Sequence, residues 1–142
     1  MIGGQIADLE AEGHPVDLDG VDWIHRHKTG ALLAACAEIG AIHAGAGARR
    51  RRAFAEYGAA LGLAFQIADD VLDCTSTPEV LGKTPGKDEA AGKATYPMHL
   101  GIEESRRRAQ KQVERAVAAL DSIEIEAPLL VELASFAATR NA

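Results

Sequence analysis

Aromatic residues are scarce: one tryptophan, two tyrosines and three phenylalanines make up only 4% of the 142 residues, although 47% of the chain is hydrophobic. An apolar supply drawn from Ala, Leu and other aliphatics argues against a β-sandwich and for close-packed helices. Positive charge is also in deficit. Fifteen Lys and Arg against 21 Asp and Glu leave a net charge of −6, which argues against nucleic acid as a general partner. The run Arg49–Arg52 is the one exception, and it reads as a solvated loop or a helix start. No apolar run approaches the roughly 18 residues of a membrane span. The start has no basic stretch followed by an apolar one, so no secretory leader is expected. The two cysteines, Cys36 and Cys74, lack metal-ligand spacing, and a reducing cytoplasm is the default expectation. Cys36 lies in an apolar run and is expected in the core. Cys74 follows an acidic run, where a redox or ligand role has little support.

The chain is organised around Phe65-Gln66-Ile67-Ala68-Asp69-Asp70-Val71-Leu72-Asp73. From Ala53 onward, Phe54, Tyr57, Leu61, Ala64, Phe65, Ala68, Val71 and Leu72 recur at helical spacing and predict one long amphipathic helix. With Gln66 at zero on a wheel of about 100° per residue, Asp69, Asp70 and Asp73 fall at about −60°, +40° and −20°. Four polar side chains therefore share one stripe. Ala59 and Gly62 lie on it one to two turns earlier, as a small-residue floor for a cavity. Like charges at this spacing destabilise a helix by about 0.2–0.5 kcal/mol per pair, and carboxylates near a helix C-terminus oppose its dipole. Crowded carboxylates raise one another's pKa unless a cation intervenes. A hard ion that keeps several waters and binds phosphate suits this ligand set, which favours Mg²⁺ over Zn²⁺. The alternative is a solvated acidic helix end.

Read in order, the chain opens with a helical pattern that Glu12-Gly13-His14-Pro15 stops. Asp17 or Asp19 caps the next helix, with Val21, Ile24 and His25 on its buried side. Gly30 within a helical run costs about 1 kcal/mol relative to Ala. A local break there would free backbone carbonyls near Lys28 and Thr29. Residues 31–47 read as a buried helix in which Ala41, Ala44 and Gly45 allow close helix–helix approach, and residues 45–52 connect it to the central helix. Beyond Ser76-Thr77-Pro78, glycines make an adaptable loop and lysines offer point charges for phosphate oxygens. P-loop spacing is absent. Residues 101–120 and 128–136 add two packing helices. With no repeat and no low-complexity linker, the chain reads as one domain-like unit.

FQIADDVLD resembles the second aspartate-rich motif of the trans-polyprenyl diphosphate synthases, the farnesyl and geranylgeranyl diphosphate synthase family. Other segments match in order and spacing. Gly3-Gly4-Gln5 with Asp8-Leu9 resembles the family's GGQ-x-x-D-L, and His25 with Lys28-Thr29-Gly30 its H-x-x-K-T-G. Leu81-Gly82-Lys83-Thr84-Pro85-Gly86-Lys87-Asp88 resembles L-G-K-T-x-G-K-D, and Lys93-Ala94-Thr95-Tyr96-Pro97 resembles K-x-T-Y-P. The ending Thr139-Arg140-Asn141-Ala142 is similar to the C-termini of shorter-chain bacterial members. The resemblance implies an all-α helical bundle of the isoprenoid synthase type, with residues 1–142 forming the C-terminal half of the fold. The family's first aspartate-rich motif is absent, as are the basic groups and product-length residues that accompany it.

The implied activity is a prenyl transfer. Isopentenyl diphosphate condenses with an allylic diphosphate, geranyl to farnesyl or a similar short chain, by Mg²⁺-assisted ionisation. The resemblance assigns Lys28, Thr29 and Gln66 to the reacting end, and Lys28, Lys83, Lys93 and Gln5 to substrate, with Lys87 less clearly placed. It turns Gln5 and Asp8 toward the cavity. Asp69, Asp70 and Asp73 hold Mg²⁺ or Mn²⁺, with Asp69 as direct ligand and the other two binding directly or through water. His25 and His27 receive no chemistry. Two metal positions of the family have no ligands here, so the chain alone is expected to be inactive. A half-bundle leaves an apolar face uncovered, which predicts a homodimer or association with a missing N-terminal half. Two readings from other classes remain: a non-catalytic regulatory or scaffolding subunit that binds a partner synthase, and an acidic helical protein without a ligand.

Overall fold

The computed structural model describes residues 1–75 and 93–140, and these residues are helical throughout with short connections. Helix α1 spans Ile2–Glu10 and α2 spans Leu18–His25. Asp17 caps α2 by accepting the Gly20 N–H at 2.8 Å, as expected for an acidic N-cap. A π-helical turn, Arg26–Gly30, joins α2 directly to α3, Ala31–His43. The chain does not break at Gly30. It remains helical through a wider turn, with Gly30 at φ −56 and ψ −49. Next come α4 (Ala48–Thr75), α5 (Tyr96–Leu100), α6 (Ile102–Asp121) and α7 (Pro128–Thr139).

Helix α4 is the axis of the molecule, packed by α3 and the π-turn, by α6 and α7, and by α2 and α5. Ala60 through Ala64 are all buried, which a helix covered on one face cannot achieve. On one side Tyr57, Ala60, Leu61 and Ala64 meet Val113, Ala116 and Leu120 of α6 and Ala134 and Ala137 of α7. On another, Leu63 and Ile67 meet Val21, Tyr96 and Ala109. The α6 stripe falls at helical period, with Ser105, Ala109, Val113, Ala116 and Leu120 buried. Arg49–Arg52 form the start of α4, which begins at Ala48 rather than near Ala53.

Helix α3 differs most from expectation. Only Ala41 is buried, whereas Ile39 is 63% exposed, Leu32 and Ile42 are also exposed, and Cys36 lies at the surface. The helix is apolar except at Glu38 and His43, but α4 covers one side of it, so composition overstates its burial. The close approach is made elsewhere too. A Cβ on Gly58 would lie 2.3 Å from the Leu33 carbonyl oxygen, while Ala44 and Gly45 are exposed. No helix among the described residues is long and apolar enough to cross a membrane.

Candidate active site

Gly4 is the first positioning element. It is buried, and a Cβ there would stand 2.3 Å from His27 C and 2.4 Å from Lys28 N. Only glycine lets α1 lie directly on the π-turn. One turn further along α1, Asp8 meets Lys28 Nζ at 2.6 Å. Lys93 Nζ, arriving from the segment before α5, stands 3.3 Å from the same carboxylate and 3.9 Å from Glu12. Gln5 is half-buried on α1, one turn before Asp8.

Gly62 plays the same part on α4. A Cβ there would lie 2.7 Å from Gly30 Cα and 2.8 Å from the Thr29 carbonyl oxygen. The π-turn therefore sits against the α4 backbone, and Thr29 Oγ1 donates to Gln66 Oε1 at 3.0 Å. A polar row results from two groupings carried by the π-turn, Lys93 and Lys28 on Asp8 and Thr29 on Gln66, with Asp69 next along α4.

The three carboxylates of α4 do not share one environment. Asp69 is exposed and accepts from Arg140 Nη2 at 2.9 Å. The Arg140 guanidinium lies 3.6 Å above the Phe65 ring. Asp70, about 100° further round the helix, is 6% exposed. Its Oδ2 takes the Tyr96 backbone N–H at 3.0 Å and His25 Nε2 at 3.0 Å. Asp73 is half-buried one turn beyond Asp69. Among the described residues, no three acidic, His or Cys side chains converge on a point that could hold an ion. The donor chemistry still fits Mg²⁺, which binds through one or two carboxylates and fills its remaining positions with waters and phosphate oxygens. Asp69 and Asp73, one turn apart on α4, are such a pair. Lys83 and Lys87 lie outside the described residues.

Other functional neighbours were not anticipated. His25, given no chemistry from its spacing, pairs with Asp70 and stacks on Tyr96 with ring centroids 5.7 Å apart. Its place on the buried side of α2 was the available signal, since a buried imidazole needs a partner. The Tyr96 hydroxyl donates to Asp22, which also pairs with Arg26. Burial, reinforced by Asp22, pushes the Tyr96 pKa well up, so the hydroxyl stays a donor. A cavity of about 800 Å³ lies away from these groups, between α3, the start of α4 and α7, with Ala37, Phe54 and Leu130 in its wall. The polar row is the better candidate because it holds the chemistry.

Burial raises the Asp8 pKa, but Lys28 and Lys93 outweigh it and hold the carboxyl below its usual range. Burial likewise raises the Asp22 pKa, and the hydrogen bonds from Arg26 and Tyr96 outweigh it and hold that carboxyl below its usual range. A depressed carboxyl stabilises the fold above its unfolded pKa of about 4, and this is lost as pH falls through the folded value. Asp8→Asn is therefore expected to melt a few degrees below the wild type at pH 7. The gap should shrink as the melts are taken to lower pH and close once the pH lies below the folded-state value. A gap that persists unchanged in acid would show that the carboxylate charge is not what holds α1.

Residues 1–127 match the polyprenyl synthetase family. The chain is 52% identical over 99% of its length to a dimethylallyltranstransferase of Fischerella ambigua, covering 41% of that protein. It is 41% identical to the farnesyl diphosphate synthase of Escherichia coli, covering 48% of it. The structure superposes on a polyprenyl synthase from Caulobacter crescentus, solved with calcium and isoprenyl diphosphate, with a TM-score of 0.92 at 28% identity. That match covers 99% of this chain and 56% of the other. The chain thus spans less than half the length of these two relatives and carries about half of the isoprenoid synthase fold. The all-helical architecture and the match over most of its sequence establish that the chain belongs to the polyprenyl synthetase family.

Proposed function

We propose that this chain is the C-terminal part of a short-chain prenyl diphosphate synthase, the part that grips an allylic diphosphate and assists its ionisation. The supporting observation is the convergence of Lys28 and Lys93, far apart in sequence, on Asp8, next to the Thr29–Gln66 pair. Two ammonium groups held on one carboxylate can transfer to diphosphate oxygens when substrate arrives, and Lys83 is assigned to the same anion. Asp69 and Asp73 would hold Mg²⁺. When bound, the ion neutralises charge on the diphosphate and on the group that departs.

The remaining steps belong to the protein and its substrates. The allylic C–O bond breaks and the diphosphate leaves with the electron pair, met by the Lys28 and Lys93 charges. Oxygens of Thr29 and Gln66 face the allylic cation. The double bond of isopentenyl diphosphate attacks that cation, and the proton lost passes to the released diphosphate. Holding both diphosphates in register and excluding water supplies the rest of the acceleration. Helices α1, α3 and α7 expose Ile6, Ile39 and Leu129, among others, and the complementary part of the fold would cover apolar surface of this kind.

The test is incorporation of labelled isopentenyl diphosphate with geranyl diphosphate and Mg²⁺. The chain is assayed alone and with the complementary N-terminal portion of the Escherichia coli relative supplied as a second polypeptide. The expected result is no product from the chain alone and prenyl product with the second polypeptide. If the mixture is inactive and the chain binds no diphosphate with Mg²⁺, the enzyme reading fails. A chain that binds a relative and alters its rate, yet takes no diphosphate, is instead a regulatory subunit.

A further inference from the structure

Asp70 stands apart from the acidic residues around it. Asp69, one position earlier, has 61% of its side chain exposed, whereas the Asp70 side chain is 8% exposed. Its Oδ2 already accepts two hydrogen bonds, from the Tyr96 backbone N–H and from His25 Nε2, each at 3.0 Å. Tyr96 is 1% exposed. Its ring stacks on His25, and its hydroxyl reaches Asp22 at the other end of the ring. Lys93 lies three residues before Tyr96 and meets Asp8. The chain that delivers Lys93 is thus fixed at Tyr96, and the fixing point is one carboxylate oxygen of α4.

We propose that Asp70 is a positioning residue and not an ion ligand: with His25 it anchors the Tyr96 backbone and so sets Lys93 beside Lys28 for the diphosphate. The proposal rests on the reading that Lys28 and Lys93 receive a diphosphate. It assigns different work to two adjacent aspartates. Asp69 offers its charge outward, and Asp70 offers an oxygen inward. An anchor needs an acceptor oxygen with two lone pairs, which an amide carbonyl also provides. An ion ligand needs the negative charge. Asn at position 70 keeps the first and removes the second.

The experiment uses the full chain as wild type, Asp70→Asn, Asp70→Ala and Asp69→Ala. Two quantities are measured: exchange of the Tyr96 amide proton by NMR, and calorimetric binding of pyrophosphate in the presence of Mn²⁺. Asp70→Asn is expected to keep Tyr96 protection, with affinity within about threefold of wild type. Asp70→Ala should lose protection by about tenfold or more, as expected for a lost bond to a charged acceptor. Its affinity should fall by about tenfold through displaced Lys93, in the range seen for groups that orient a site. Asp69→Ala should lose affinity with Tyr96 protection intact. If Asp70→Ala does not fold while Asp70→Asn folds and binds normally, the oxygen and not the charge is again what is required. Asp70→Asn that loses binding as Asp69→Ala does, with Tyr96 still protected, overturns the proposal. If the wild type binds no pyrophosphate, the diphosphate reading fails, and exchange alone judges the anchor. Tyr96 protection in Asp70→Ala equal to wild type then overturns it.

Discussion

Gly58→Ala is expected to melt about 7 °C below the wild type, a loss of about 2 kcal/mol for a chain of this size. Two effects of opposite sign compete. Alanine in a helix interior is favoured over glycine by about 1 kcal/mol, so an unconstrained site would gain stability. Position 58 is constrained. The new Cβ would stand 2.3 Å from the Leu33 carbonyl oxygen, 2.6 Å from its carbon and 2.7 Å from Ala34 Cα. All three are backbone atoms, so no rotamer change relieves the overlap. Helix α3 must move off α4 until the contact opens to the 3.4 Å where ordinary contact begins, and Ala41 and Leu33 lose packing with it. Overpacking of this kind typically costs about 1–3 kcal/mol and outweighs the helix-propensity gain. Thermal unfolding by circular dichroism decides the sign. A variant melting at or above the wild type would mean that α3 yields freely.

Asp69→Ala should behave in the opposite way, with the fold untouched and the ligand lost. Its carboxylate is largely exposed, and its pairing with Arg140 is of the surface kind, worth about 0–1 kcal/mol at most. Arg140 retains Phe65 as a platform, so the melting temperature should stay within about 2 °C. Mg²⁺-dependent pyrophosphate binding should weaken by at least about tenfold, because an exposed carboxylate that binds an ion is replaced by nothing that can. The contrast between the two measurements carries the information. A solvated acidic helix end would lose neither stability nor binding. An unchanged affinity in calorimetry would therefore return Asp69 to the solvent and remove the metal from the site.

Legibility in the sequence followed the physics of each residue. Helix α4 was readable because Phe54, Tyr57, Leu61 and Ala64 repeat at helical period, and α6 because Val113, Ala116 and Leu120 do. The stop at Gly13 and the cap at Asp17 are local effects that need no tertiary information. The Lys28 and Gln66 sites were marked by motif resemblance. What that could not reveal was which groups they meet, since Lys28 finds Asp8 twenty residues back and Lys93 finds it from far downstream. The Asp69–Asp70 division was invisible for a related reason. A helical wheel gives the angle between two side chains, whereas the positions of α2, α5 and Arg140 around α4 decide which angle is buried. Helix α3 shows the converse limit. Its apolarity, interrupted only by Glu38 and His43, says that it prefers cover, but α4 covers only one side of it.

The wide turn at Arg26–Gly30 makes chain length itself a specified quantity. Residues 18–43 form one uninterrupted rod, and a π-turn accommodates one residue more per hydrogen-bonded ring than the α-helix on either side. The extra residue of a π-turn adds little net rotation, so deleting one residue there would let the rod relax to ordinary α-geometry with α2 and α3 close to their present register. What would change is the turn itself, which carries Lys28 to Asp8 and Thr29 to Gln66. Deleting a residue of α2 or α3 outside the turn would instead rotate one part of the rod against the other by about 100°. Surface loops absorb such deletions readily, and residues 18–43 contain no loop to take up the slack.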